Sequence, residues 1–184
     1  MSDALPKPET ADEFIAWAMQ QNKRYQMCNG EVIAMASERN RHNLTKQQTW
    51  LALREAVLAA GLSCTVLGDG ATVKVNDQNV YEPDVTVDCS EALDLDSVLA
   101  ETPVILVEVT SPSSGTLDSQ QKLHDYFQVA SVQHYLILEP GRKYAVHHAR
   151  QSDGTILTRI LHSGMIDLDP PGVSIDLSSL FPEE

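Results

Sequence analysis

Apolar positions along the chain follow two periods, and the changes of period mark its elements. Phe14, Ile15, Trp17, Ala18 and Met19 follow Thr10-Ala11-Asp12-Glu13, a capping box in which Thr10 accepts from the Glu13 amide while the Glu13 carboxylate reaches back. A first helix to about Gln21 is predicted. Two short strand-like runs surround Asn29-Gly30 between Tyr25 and Met35, which is a strong hairpin signal. From about Asn43 to Ala60, Leu44, Leu51 and Leu58 recur at seven-residue spacing beside Trp50, Leu53 and Val57, and Gly61 supplies a stop, so a second helix is expected.

The second half reads as strands with one interruption. Runs at 63–67 and 71–75 are separated by Gly68-Asp69-Gly70, which fits a hairpin turn, and another strand is expected at 80–87. The polar stretch 88–101 reads as a surface loop. Residues 103–110 are almost unbroken apolar, the pattern of a strand buried on both faces. A turn over Ser111-Pro112-Ser113-Ser114-Gly115-Thr116 leads into a helix over about 117–129, and strands near 132–138, 143–148, 156–161 and 173–177 complete the chain. Helices flanking a mixed central sheet place it in the α/β or α+β class. Its 184 residues suit one domain spanning 1–184.

The apolar strand contains a carboxylate, Glu108. An ionised Glu there costs several kcal/mol unless it meets a metal, a cation or several donors. Alternation along the strand puts Val104, Leu106, Glu108 and Thr110 on one face. A second carboxylate, Asp84, follows Pro83 on the preceding strand, and if the two strands are neighbours the pair makes an oxygen-rich site suited to Mg²⁺. The depths of Glu108 along its strand (about 10 Å from Ser111, at ~3.3 Å per residue) and of Lys122 along the next helix (about 9 Å from Thr116, at ~1.5 Å per residue) agree. A helix doubling back would bring the Lys122 ammonium level with Glu108.

Composition constrains these readings. The chain carries 13 basic and 26 acidic residues, a net charge of −13, which counts against tight binding to nucleic acid. No apolar run approaches the ~20 residues needed to span a bilayer, so no membrane partner is expected, and without a secretory leader the expected compartment is the cytoplasm. Cys28, Cys64 and Cys89 lie far apart with no paired spacing, suggesting neither a disulfide framework nor a zinc site but small buried hydrophobes.

Pro83-Asp84 followed by Glu108-Val109-Thr110 resembles the PD-(D/E)xK motif of restriction-endonuclease-like nucleases, with Thr110 where that motif ends in lysine. The wider text is similar to one branch, the Uma-type restriction endonucleases, in which the lysine sits on the next helix. The matching positions are Tyr25, Asn29-Gly30-Glu31, Met35, His42, Glu82-Pro83-Asp84, the run from Val107 to Ser114, Asp118, Lys122, Tyr126, Val132, Tyr135 and Glu139-Pro140; Ser131 and Leu136 depart from it. The resemblance implies a restriction-endonuclease-like fold with Mg²⁺, or Mn²⁺ as substitute, held by Asp84, Glu108 and the Val109 carbonyl. It implies Lys122 as the residue that orients the attacking water or offsets phosphorane charge, with Glu31 and His42 as accessory positions. The implied substrate is nucleic acid, DNA in the first place, and the implied assembly a homodimer. Tyr126, one turn beyond Lys122, reads as packing. Two functions stay open: an endonuclease, favoured by Asp84, Glu108 and Lys122, and a catalytically silent binding or assembly module, favoured by the net charge and by Thr110.

Overall fold

The computed structural model describes residues 5–110 and 116–183; of the expected turn over 111–116, residues 111–115 lie outside them and Thr116 is instead the first residue of a helix. Helix α1 (Ala11–Ala18) starts where Thr10 Oγ1 accepts from the Glu13 amide at 3.2 Å, while the Glu13 carboxylate accepts from the Glu9 amide at 2.9 Å. Strands β1 (Tyr25–Cys28) and β2 (Glu31–Ala34) close around Asn29 and Gly30, whose φ values of 51° and 74° are those of a tight hairpin turn.

Helix α2 (Asn40–Ala59) turns a different face inward from the one its leucines mark. Thr45, Lys46, Thr49, Leu53 and Val57 are buried, whereas Leu44, Leu51 and Leu58 are 46%, 47% and 61% exposed. Thr45, Thr49, Leu53 and Val57 step by four, which keeps one stripe of a 3.6-residue helix on the sheet.

Four further strands correct the expected hairpin and the expected long strand. β3 (Thr65–Gly68) and β4 (Val73–Asn76) flank Gly68-Asp69-Gly70 but do not pair: β3 joins β6 (Val85–Asp88), and β4 joins β5 (Asn79–Tyr81). The expected strand at 80–87 is therefore two strands in two sheets, with Glu82-Pro83-Asp84 as the crossing. Pro83 has no N–H to give a ladder, which suits a break there.

The larger sheet runs β10-β9-β8-β7-β6-β3, with β7 (Pro103–Val109), β8 (His134–Glu139), β9 (Tyr144–Arg150) and β10 (Ile156–Leu161). Only β7 and β8 are parallel in it, joined through helix α3 (Thr116–Tyr126). The second sheet runs β2-β1-β5-β4, and β11 (Met165–Leu168) pairs β12 (Val173–Asp176) before a short 3₁₀ turn (Leu177–Leu180). β11 has no counterpart among the expected strands.

Alternation along β7 divides the core. Ile105, Val107 and Val109 pack with Leu53 and Val57 of α2 and with Ile166, Ile175 and Leu180, while Leu106 packs with Tyr126, Tyr135 and Tyr81. Two helices thus serve opposite faces of one strand, α2 on the odd face and α3 on the even one.

Cys64 and Cys89 form a disulfide, which corrects the expectation of unpaired cysteines. Thr65 pairs Asp88 across β3 and β6, so the two cysteines are the next positions in the same register. Their separation of 25 residues hides this in sequence, since only strand pairing brings them together. Disulfides are favoured in oxidising compartments, so the cysteines lend nothing to a cytoplasmic assignment. No helix among the described residues is long and apolar enough to cross a membrane.

Candidate active site

Asp84 and Glu108 meet because β6 and β7 are antiparallel neighbours. Val85 pairs Val107, so the register continued by one residue sets Asp84 across from Glu108. The Asp84 amide donates to the Val107 carbonyl at 3.0 Å, and the Val109 amide donates to Asp84 Oδ2 at 2.6 Å. The Asp84 carboxylate therefore caps the end of β7, and Val109, the residue whose carbonyl was expected to ligate, is the one whose N–H fixes Asp84.

Glu108 faces α3. Lys122 Nζ donates to Glu108 Oε1 at 2.8 Å, and the Tyr126 hydroxyl donates to the same oxygen at 2.6 Å. Lys122 is buried, with Nζ 5.5 Å from the Tyr81 ring centroid. Burial pushes Glu108 above the usual carboxylate range; Lys122 and Tyr126 pull it down and the Asp84 charge pushes it further up. Burial likewise holds the Tyr126 hydroxyl well above its ordinary value, with the Glu108 charge adding to it. Tyr126 stays a neutral donor. Its ring also packs edge-on against Tyr81 and Tyr135, so the expected packing role is present along with a hydrogen bond that role did not include.

The Asp84 side is built from α2 and its approach. His42 Nε2 lies 3.3 Å from Asp84 Oδ2 and 3.6 Å from Glu38 Oε1. Lys46 Nζ bonds Glu38 Oε2, lies 2.8 Å from Asp69 Oδ2 and 3.4 Å from Asp84 Oδ1. Arg24 extends the network to Asp69 and Glu82, both at 2.6 Å. Burial alone would depress Lys46, but Asp69 and Glu38 outweigh it and raise its pKa; Lys46 and Arg24 hold Asp69 below its ordinary value against its own desolvation. A cleft of about 530 Å³ lined by Asn43, Lys46, Gln47, Trp50, Leu51 and Asp69 opens beside Asp84.

Of the residues singled out in the sequence, Asp84, Val109, Glu108, Lys122 and His42 are gathered here. Glu31 is not part of this network among the described residues: it is exposed in β2, in register with Cys28. Glu38, Lys46 and Asp69 were missed. Lys46 lies one turn beyond His42 on α2, a spacing that shares a helix face, while Glu38 stands just before the helix, and only the fold shows that both meet Asp84.

The donor set fits a hard divalent cation. Asp84 and Glu108 offer carboxylate oxygens at one strand end, and both bonds described for Glu108 go to Oε1, leaving Oε2 for another partner among the described residues.

Comparison with known proteins agrees with this architecture. The chain is 22% identical over 187 residues to an uncharacterized protein of Synechocystis sp., covering 98% of this chain and 95% of that one. The fold is that of a crystal structure described as a "putative nuclease" of the DUF820 group from Anabaena variabilis, with a TM-score of 0.74 at 13% identity, covering 95% of this chain and 98% of that one. The profile of the Uma2 family, described as "Putative restriction endonuclease", matches residues 11–182, and the chain belongs to that family.

Proposed function

We propose that the chain is a Mg²⁺-dependent endonuclease that hydrolyses phosphodiester bonds of DNA. The observation that carries this reading is the inward Lys122, 2.8 Å from Glu108 Oε1 on a helix that the strand order folds over β7. Asp84, Glu108 and the Val109 carbonyl are the proposed metal ligands, with Mn²⁺ as a substitute ion. When bound, Mg²⁺ supplies polarisation of the phosphate and a more acidic water.

The chain's own residues do the rest. The Val109 amide and Lys46 hold the Asp84 carboxylate in one orientation. Tyr126 holds Glu108 from the side of α3, and Lys122 Nζ, beside the same carboxylate, is the cation placed to meet a phosphoryl oxygen or an attacking water. An ammonium there offsets the extra charge of the transition state and substitutes for the lysine that Thr110 replaces.

The net charge is −13 and two of the basic residues are engaged within the fold. Lys46 is consumed by carboxylates, and Arg150 donates to the Phe127, Val129 and Val132 carbonyls. Binding should therefore be weak and salt-sensitive, with affinity drawn from the metal and the site. The test is cleavage of supercoiled plasmid with and without Mg²⁺ by wild type and Lys122→Met. Metal-dependent nicking lost in the variant supports the reading; no nicking, or equal nicking by both, sinks it and leaves a silent binding module of the same fold.

A further inference from the structure

We propose that Glu38, His42 and Asp84 form a second divalent-cation site, of mixed nitrogen and oxygen ligands, that takes a first-row transition ion in preference to Mg²⁺. It shares Asp84 with the pair described above and rests on that reading only through this residue. One ligand atom from each of the three residues lies within 4.8 Å of the others. Two ligand atoms each ~2.1 Å from one ion in tetrahedral arrangement are about 3.4 Å apart. His42 Nε2 stands 3.3 Å from Asp84 Oδ2 and 3.6 Å from Glu38 Oε1, so both edges that meet at the imidazole have the length an ion would impose.

Two independent observations point to a ligand here. His42 Nε2 is shielded from solvent and, although aimed at two carboxylates, makes no hydrogen bond with either. A ring nitrogen buried in this way normally finds a partner. Second, Lys46 engages the opposite oxygens, Glu38 Oε2 and Asp84 Oδ1, leaving Glu38 Oε1 and Asp84 Oδ2 turned toward His42. A positioning group that hydrogen-bonds one carboxylate and ion-pairs with the outer oxygen of the other is an arrangement that orients ligands around a metal. The Val109 amide occupies one lone pair of Asp84 Oδ2, and a second remains.

Imidazole is the discriminating ligand. An all-oxygen set suits Mg²⁺, whereas a nitrogen donor raises the preference for Mn²⁺, Fe²⁺, Co²⁺ or Zn²⁺. The two proposed sites therefore differ in what they select, although they share one carboxylate.

The probe is Mn²⁺, followed by the count of bound ions and by electron spin-echo modulation, which reports an imidazole nitrogen bonded to the ion. Wild type and Glu108→Gln should both show nitrogen coupling that survives excess Mg²⁺. His42→Gln should lose the coupling and bind one ion fewer, and Glu38→Gln should weaken that ion about tenfold or more. Bound Mn²⁺ without nitrogen coupling in wild type, no bound Mn²⁺, or unchanged binding by folded His42→Gln would overturn the site. Should His42→Gln fail to fold, the coupling in wild type decides alone. Coupling without any DNA cleavage would defeat the nuclease reading and leave this site standing, whereas cleavage dependent on Glu108 and Lys122 without coupling would do the reverse.

Discussion

The two carboxylates of the site lie across one strand pair, yet their surroundings are built on different principles. Glu108 is served from one helix by two groups a turn apart, Lys122 and Tyr126, converging on a single oxygen. Asp84 is served by a backbone amide, an imidazole and an ammonium, and its partners are shared with Glu38, Asp69 and, beyond them, Arg24 and Glu82. The Glu108 side is a compact cluster in which two donors from one helix meet one oxygen beside the Tyr81 ring. The Asp84 side is a network in which each charge supports several others. Removal of a group should therefore register mainly as lost rate on the first side and as lost stability or lost metal on the second.

The largest expected effect is that of Lys122→Met, a loss of about 10²–10³ in cleavage rate with the fold kept, because Glu108, already raised by burial, takes up a proton when the ammonium is removed. Plasmid nicking alongside circular dichroism checks it; a variant that melts far below wild type would break the proposed contrast. Lys46→Met should behave the other way. It leaves Glu38, Asp69 and Asp84 without their shared ammonium, and because Glu38 and Asp69 are 22% and 38% exposed the cost falls below the ~3–5 kcal/mol of a fully buried pair. Chemical denaturation measures that, and a variant as stable as wild type would show that the Asp84 network is no more than a surface charge cluster.

Tyr126→Phe sharpens the comparison on the Glu108 side. It removes one donor to Oε1 and keeps the ring that packs between Tyr81 and Tyr135, so a roughly tenfold loss in rate is expected, that being about the worth of a hydrogen bond to a charged group. The acid limb of the pH–rate profile should also move to higher pH, since a group favouring ionised Glu108 is gone.

The smallest effect is on stability against pH without metal. Burial raises Glu108 above its ordinary 4.5, so the folded protein retains a proton that the unfolded chain releases. Its contribution is present below pH 4.5 and is lost as pH rises through the folded value. The difference between wild type and Glu108→Gln isolates this slope from that of the buried His134 and His147, which has the opposite sign. Parallel curves would place Glu108 in a more solvated setting than the structure shows.

What the sequence determined by itself were the features that depend on near neighbours in the chain. The capping box at Thr10, the Asn29-Gly30 turn, the buried character of 103–109 and the equal depths of Glu108 and Lys122 about one strand-to-helix connection all follow from local geometry. These rules act within a few residues or one connection, so spacing is enough to apply them.

Tertiary structure decided whatever depends on which element lies beside which. It turned the Thr45-to-Val57 stripe of α2 inward rather than the leucines, split 80–87 between two sheets at Pro83, and paired Cys64 with Cys89 by register. It also brought Glu38, His42 and Lys46 to Asp84, from segments separated by some forty residues. The physical reason is common to all of these. Which helix face is buried and which strands pair is settled by the total apolar surface removed from water and by closure of the backbone hydrogen bonds, and both are sums over the whole chain.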